Sequence, residues 1–277
     1  MINYCFIVMP SVAVLQPDDG TGVLIGMKTW QHTKTLTQIL PYQTLGEEIA
    51  NSLLHGFGAL LGAAGLVLLV LRAQGFLGGN GGGGRATTSY VIFAAAMTCM
   101  FLASTLYHAH QRPEIKRIFR VFDHQAIYLF IAGTYTPLCL IGLRGPLGWT
   151  LFGIEWALAI TGIVLYGVGC KALKKMELTV YLLMGWAIVG GCIPLARALP
   201  PRSLLLLAAG GVFYTLGTVW YALGRRRNVR FNTPKEPAPM ENAGVFQKKS
   251  DRGAHVTWHV FVLLGALCHW WSIWFMS

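Results

Sequence analysis

His255 and His259 stand four residues apart in H-V-T-W-H. On a helix, residues i and i+4 leave one face a turn apart, so two imidazole nitrogens can reach a single metal ion. Ser104 and His108 repeat that spacing in S-T-L-Y-H, and His108 offers a third nitrogen with Ser104 one turn deeper. Three imidazoles with a fourth position open to water form a recurring catalytic zinc arrangement, in which the ion lowers the pKa of its water to about 7. Asp123 is the carboxylate such chemistry would use: to orient the water, to act as general base, or to brace a ligating histidine through its second ring nitrogen. No Glu follows His255, so this is not the H-E-x-x-H protease motif. A plainer reading stays open, because H-x-x-x-H pairs arise by chance and a histidine at a membrane boundary often only faces headgroups.

The elements that would carry these residues are apolar helices. Charged residues make up 12% of the 277 residues and hydrophobic ones 54%. A soluble domain carries about 25% charged residues, so a disordered chain is excluded and the composition argues against an ordinary water-soluble enzyme. Seven stretches approach the roughly 20 apolar residues that cross a bilayer: about Leu53–Leu71, Thr88–Tyr107, Phe119–Leu140, Leu147–Gly169, Leu178–Leu195, Leu204–Leu223 and Val256–Phe275. Because backbone polar groups cannot stay unpaired in lipid, the fold predicted is all-α, a seven-helix transmembrane bundle.

The net charge of +11 does not point to nucleic acid, since the basic residues sit at the ends of apolar segments rather than on one solvated face. They orient the chain instead. Lys28 and Lys34, then Arg112, Lys116, Arg117 and Arg120, then Lys171, Lys174 and Lys175, and finally the cluster from Arg225 to Arg252, all fall on one side. The N-terminus is therefore expected in the cytoplasm and the C-terminus outside. Residues 1–44 read as a flexible or interfacial N-terminal arm and 45–277 as the seven-span domain, with a long, disordered cytoplasmic loop at 225–254. Gly78–Gly84 reads as a flexible linker. The six cysteines are scattered and predict no disulfide framework.

With that topology, His108 at the end of the second span, Asp123 in the first turn of the third, and His255 and His259 at the start of the seventh share one depth. Other polar residues read more blandly. His110 and His124 are expected to be solvated at the boundary, and His269 to be a hydrogen-bonded core histidine. Glu47 and Glu48 fit a helix N-terminus through the macrodipole. Glu48, Asn51 and His55 nonetheless share a face (i, i+3, i+7), which leaves His55 as a candidate support for a ligand. Tyr128, Thr134 and Tyr135 are expected in packing or a cavity wall. Glu155 lies inside the fourth span and is expected to be paired, protonated or facing a cavity.

Six blocks, among them E-E-I-A-N-S-L-L-H-G (Glu47–Gly56), S-T-L-Y-H (Ser104–His108), F-D-H-Q-A-I-Y-L-F-I-A-G-T-Y-T-P (Phe122–Pro137) and H-V-T-W-H-V-F-V-L-L-G (His255–Gly265), resemble the hemolysin III family, as do Tyr181–Trp186 and Gly210–Gly217. This family is a branch of the progestin and adiponectin receptor superfamily. The resemblance implies seven helices, an internal N-terminus and one Zn2+ near the cytoplasmic face, held by His108, His255 and His259 with Ser104 and Asp123 beside it. The superfamily includes receptors with ceramide-hydrolysing activity, is similar in motif to alkaline ceramidases, and has bacterial members named for red-cell lysis. The expected function is a zinc-dependent hydrolase of a ceramide-like lipid amide that takes its substrate from the bilayer. The alternatives are a receptor or signalling protein with structural zinc, marked by a closed fourth position, and a membrane-lysing or channel-forming protein, marked by a continuous polar path. The 225–254 loop and the N-terminal arm are longer than expected for a bacterial hemolysin III, and Glu155 stands where an apolar residue is expected.

Overall fold

The computed structural model describes residues 43–78, 82–232 (225–232 by backbone alone) and 253–276. The expectations for the N-terminal arm, and for most of the 225–254 loop, lie outside these residues. Within them the chain is helical, with seven helices long and apolar enough to cross a membrane: Leu45–Ala73, Gly83–Ala109, Pro113–Leu143, Gly145–Gly167, Lys171–Ala198, Pro201–Gly224 and Ala254–Trp274. The protein is an integral, multi-pass membrane protein. Its outer faces expose Leu53, Leu60, Leu183, Ile193 and Leu205, a surface that lipid solvates and water does not.

Helix ends do not follow the limits of apolarity, which corrects four boundaries. The first span starts at Leu45, where Thr44 and Glu47 form a reciprocal capping box. The third starts at Pro113, a residue suited to the first helical turn, so Asp123 lies about three turns in rather than in the first. The sixth helix runs on to Asn232, so the backbone of residues 225–232 is helical. Gly83 and Gly84 likewise belong to the second span rather than to a linker.

Successive spans pack side by side, and the first also meets the seventh. The second, third and seventh are the most buried, and these carry His108, Asp123 and the His255/His259 pair. Small residues set the close approach of the first span. A Cβ on Gly62 would lie 2.7 Å from Thr98 Oγ1 and 3.3 Å from the Thr98 Cα, and one on Gly65 2.4 Å from Trp270 Nε1. Gly62 and Gly65 thus let the first span rest against the second and seventh, as small residues do in membrane helix pairs.

Two irregular turns shape the interior. After Pro137, which has no N–H to donate, the third span widens into a π-helical turn over Leu138–Leu143. The fifth span breaks into a 3-10 turn at Ala187–Gly191. Tyr135 of the third span clamps that break: its hydroxyl lies 2.8 Å from the Met184 carbonyl and 3.0 Å from that of Gly185, and accepts the Ile188 N–H at 2.8 Å. Glu155 is fully buried, and among the described residues nothing hydrogen-bonds its carboxyl; of the three expectations for it, pairing is not what the structure shows.

The packing of the first span is testable. Gly62→Leu should force it away from Thr98 and cost about 1–3 kcal/mol of overpacking strain, read as a lower melting temperature in detergent. Gly153→Leu, at a position with open space, should leave the melting temperature unchanged.

Candidate metal centre

The start of the seventh span and the end of the second meet at one end of the bundle. One nitrogen from each of His108, His255 and His259 lies within 4.8 Å of the others. His108 Nε2 and His259 Nε2 are 3.1 Å apart. With Zn–N bonds of about 2.0–2.1 Å in tetrahedral geometry, two ligand nitrogens stand about 3.3 Å apart. The donor set and its spacing therefore fit a tetrahedral ion that takes imidazole nitrogen.

The second ring nitrogens of His108 and His259 are engaged. His108 Nδ1 lies 2.7 Å from Glu48 Oε2, and Lys116 Nζ lies 2.6 Å from Glu48 Oε1. An ionised carboxylate only accepts, so His108 donates from Nδ1 and presents the Nε2 lone pair to the cluster, as a carboxylate–histidine–metal arrangement requires. His259 Nδ1 lies 2.7 Å from His55 Nε2, and His55 is 2% exposed. Capping therefore accounts for Glu47 but not for Glu48. The face shared by Glu48, Asn51 and His55 was the sequence signal, and it turns both Glu48 and His55 toward the histidines. Glu47 also acts beyond its own helix. Its Oε1 accepts the Gly253 N–H at 3.0 Å, tying the start of the seventh span to that of the first. Gly253 takes a left-handed φ of 81° to make that turn.

Ser104, Asp123, His255 and His259 line one end of a cavity of about 310 Å³, within the size range of small-molecule sites. Ser104 is fully buried, and its hydroxyl is directed at the Asp123 carboxyl. The cavity continues between the third, fifth, sixth and seventh spans to Leu138, Leu195, Leu204 and Leu207. Its wall is overwhelmingly apolar, with the polar groups gathered mainly at the histidine end. Thr134 and Tyr135 belong to that wall, whereas Tyr128 packs on Tyr181 at 4.6 Å.

The other histidines diverge. His110 stays half-buried at the helix end, with Nδ1 2.8 Å from the Leu106 carbonyl. His269 Nε2 meets the Leu207 carbonyl at 3.3 Å, the hydrogen-bonded interior role its position suggested. His124 departs from the solvated expectation: it lines the cavity and pairs with Glu177 at 3.0 Å.

Comparison with known proteins agrees with this frame. Residues 43–270 match the family described as haemolysin-III related. The chain is 36% identical over 224 residues to Hemolysin-3 of Bacillus cereus, covering 81% of this chain and 89% of that protein. It is 40% identical over 178 residues to a hemolysin-3 homolog of Bacillus subtilis, covering 64% and 81%. It is 26% identical over 189 residues to the human monocyte to macrophage differentiation factor, covering 66% and 68%. The chain belongs to the haemolysin-III related family.

Glu48 gives the centre a direct test. Partners that orient a ligating histidine are typically worth 10–100-fold in metal affinity. Glu48→Gln should weaken metal binding by about that factor, measured by competition with a chelator of known affinity; an unchanged constant would show that the carboxylate does not orient His108.

Proposed function

We propose that this haemolysin-III-related membrane protein is a zinc-dependent hydrolase of a lipid amide, a ceramide-like molecule drawn from the bilayer. The observation that carries this reading is the convergence of His108, His255 and His259 at the head of a largely apolar cavity that Asp123 and Ser104 also line. His108, His255 and His259 would hold the ion. Bound there, zinc polarises a carbonyl and makes water a better nucleophile at neutral pH.

The chain's own groups supply the rest. Asp123 accepts a proton from the attacking water as the new C–O bond forms, and returns it to the amide nitrogen as the C–N bond breaks, so that an acid and an amine leave. Ser104 orients the water or the carbonyl oxygen; no triad accompanies it to make it a nucleophile. Leu138, Leu195, Leu204 and Leu207 take the hydrocarbon and keep bulk water out. The basic residues gathered on the loops at this end support a cytoplasmic location for the centre, with the N-terminus on the same side.

Asp123 and Ser104 on the cavity wall favour an accessible fourth position over a closed structural site. The names of the Bacillus relatives suggest lysis, but the leucine-walled end of the cavity is unlike a continuous polar path.

Purified protein, assayed for metal by elemental analysis and for turnover of a long-chain amide, decides the matter. His259→Ala should lose both metal and turnover while the bundle still inserts. Asp123→Ala should keep its metal and lose about 10²–10⁴-fold in rate. A His259→Ala protein with full metal and full turnover would sink the proposal.

A further inference from the structure

A second polar centre faces the same cavity. His124 and Glu177 line it together, with His124 Nδ1 3.0 Å from Glu177 Oε2. The pair is held from several directions. The His124 ring stacks on Tyr166 with centroids 5.0 Å apart and planes 13° from parallel. Tyr181 donates its hydroxyl hydrogen to the His124 carbonyl at 2.9 Å. On the next residue, Gln125 donates to the Ile163 carbonyl at 2.9 Å. The third, fourth and fifth spans thus converge to fix one imidazole and one carboxylate.

The pair's hydrogen-bonding character is one-sided. Glu177 accepts the His124 Nδ1–H, so His124 Nε2 carries a lone pair and Glu177 Oε1 remains an acceptor. Among the described residues no hydrogen bond is made to either atom. Both residues line the largely apolar cavity, so two open acceptors there match a ligand that donates. The cations nearby are Arg120, on the cavity wall, and Lys174, over the Tyr166 ring at 5.0 Å. Together with Asp123 they leave the region without a strong net charge, so discrimination falls to donor against acceptor rather than to charge alone.

We infer that the His124–Glu177 pair recognises the polar end of the lipid, selecting one that donates hydrogen bonds, such as a long-chain amino alcohol or its amide, over one that accepts them, such as a free fatty acid. The inference rests on the hydrolase reading for the lipid's amide class, and it assigns the amine half of that amide to His124 and Glu177 while the carbonyl lies at the histidines. Asp123 precedes His124 on the same helix, so the proton donor to the leaving nitrogen and the group that receives the resulting amine are neighbours.

Binding tests this apart from turnover. The metal-loaded protein in lipid nanodiscs is titrated with a long-chain amino alcohol and with a fatty acid of equal chain length, each displacing a fluorescent lipid. The protein as it stands should bind the amino alcohol about tenfold more tightly, the worth of one charge-assisted hydrogen bond. Glu177→Gln keeps an oxygen for His124 Nδ1 but replaces the second acceptor by an NH2 donor; the preference should vanish or reverse, with metal content unchanged. Equal affinity for the two lipids before mutation, an unaltered ratio after it, or a parallel loss for both lipids would overturn the inference. Should Glu177→Gln not assemble, His124→Asn, which retains a donor to Glu177 and removes the Nε2 acceptor, should show the same loss of preference. A protein that keeps the preference but hydrolyses no amide supports this inference and removes the hydrolase reading.

Discussion

A carboxylate buried between two bases fixes one end of the bundle. Glu48 of the first span meets His108 of the second and Lys116 of the third at 2.7 and 2.6 Å, and Lys116, 6% exposed, also lies over the Tyr107 ring at 4.9 Å. Taking such groups out of water is costly, and removing one partner leaves another stranded, at about 3–5 kcal/mol. The three spans consequently have one register at this end. Each slip of a turn, about 5.4 Å, would break a contact that lipid cannot replace.

The protonation pattern of the cluster follows from that anchor. Glu48 fixes the proton of His108 on Nδ1 and turns Nε2 toward His259. For His259 to offer Nε2 to an ion, its own proton must sit on Nδ1 and point to His55 Nε2. The other tautomer would put a hydrogen between the two facing Nε2 atoms, 3.1 Å apart, and block the ligand face. His55 then carries its hydrogen on Nδ1, which has no partner among the described residues. A buried polar group left unpaired at the edge of the cluster marks where local stability gives way to the demands of the site.

Much of this was legible in the sequence, and the limits are physical. Apolar length gave the seven spans, because the bilayer permits no other use of such segments. The i, i+4 spacing put His255 and His259 on one face, and alternation of the spans brought His108 to their depth. Glu48 was harder to read. An acidic residue in a first turn is stabilised by the helix dipole wherever it points, and only the helix's rotation, set by the glycines facing Thr98 and Trp270, turns it inward. His124 was missed because apolarity marks where lipid begins, whereas the helix begins two turns earlier, at Pro113. Nothing in a single chain announces Glu177 as its partner, since the two lie on different spans.

The division of labour among the spans follows from these contacts. The second, third and seventh spans are the most buried and carry the cluster, Ser104 and Asp123. The fifth and sixth are more exposed to lipid and supply much of the apolar wall. Tyr135 joins the two sets, since it lies one helix turn beyond Ile131 on the buried third span and holds open carbonyls of the broken fifth. The break costs regular helix hydrogen bonds, which lipid would not tolerate on its own; the Tyr135 hydroxyl supplies them from inside. The histidine end of the bundle is held by a buried ion pair, and the middle of the cavity wall by a hydrogen-bonded helix break.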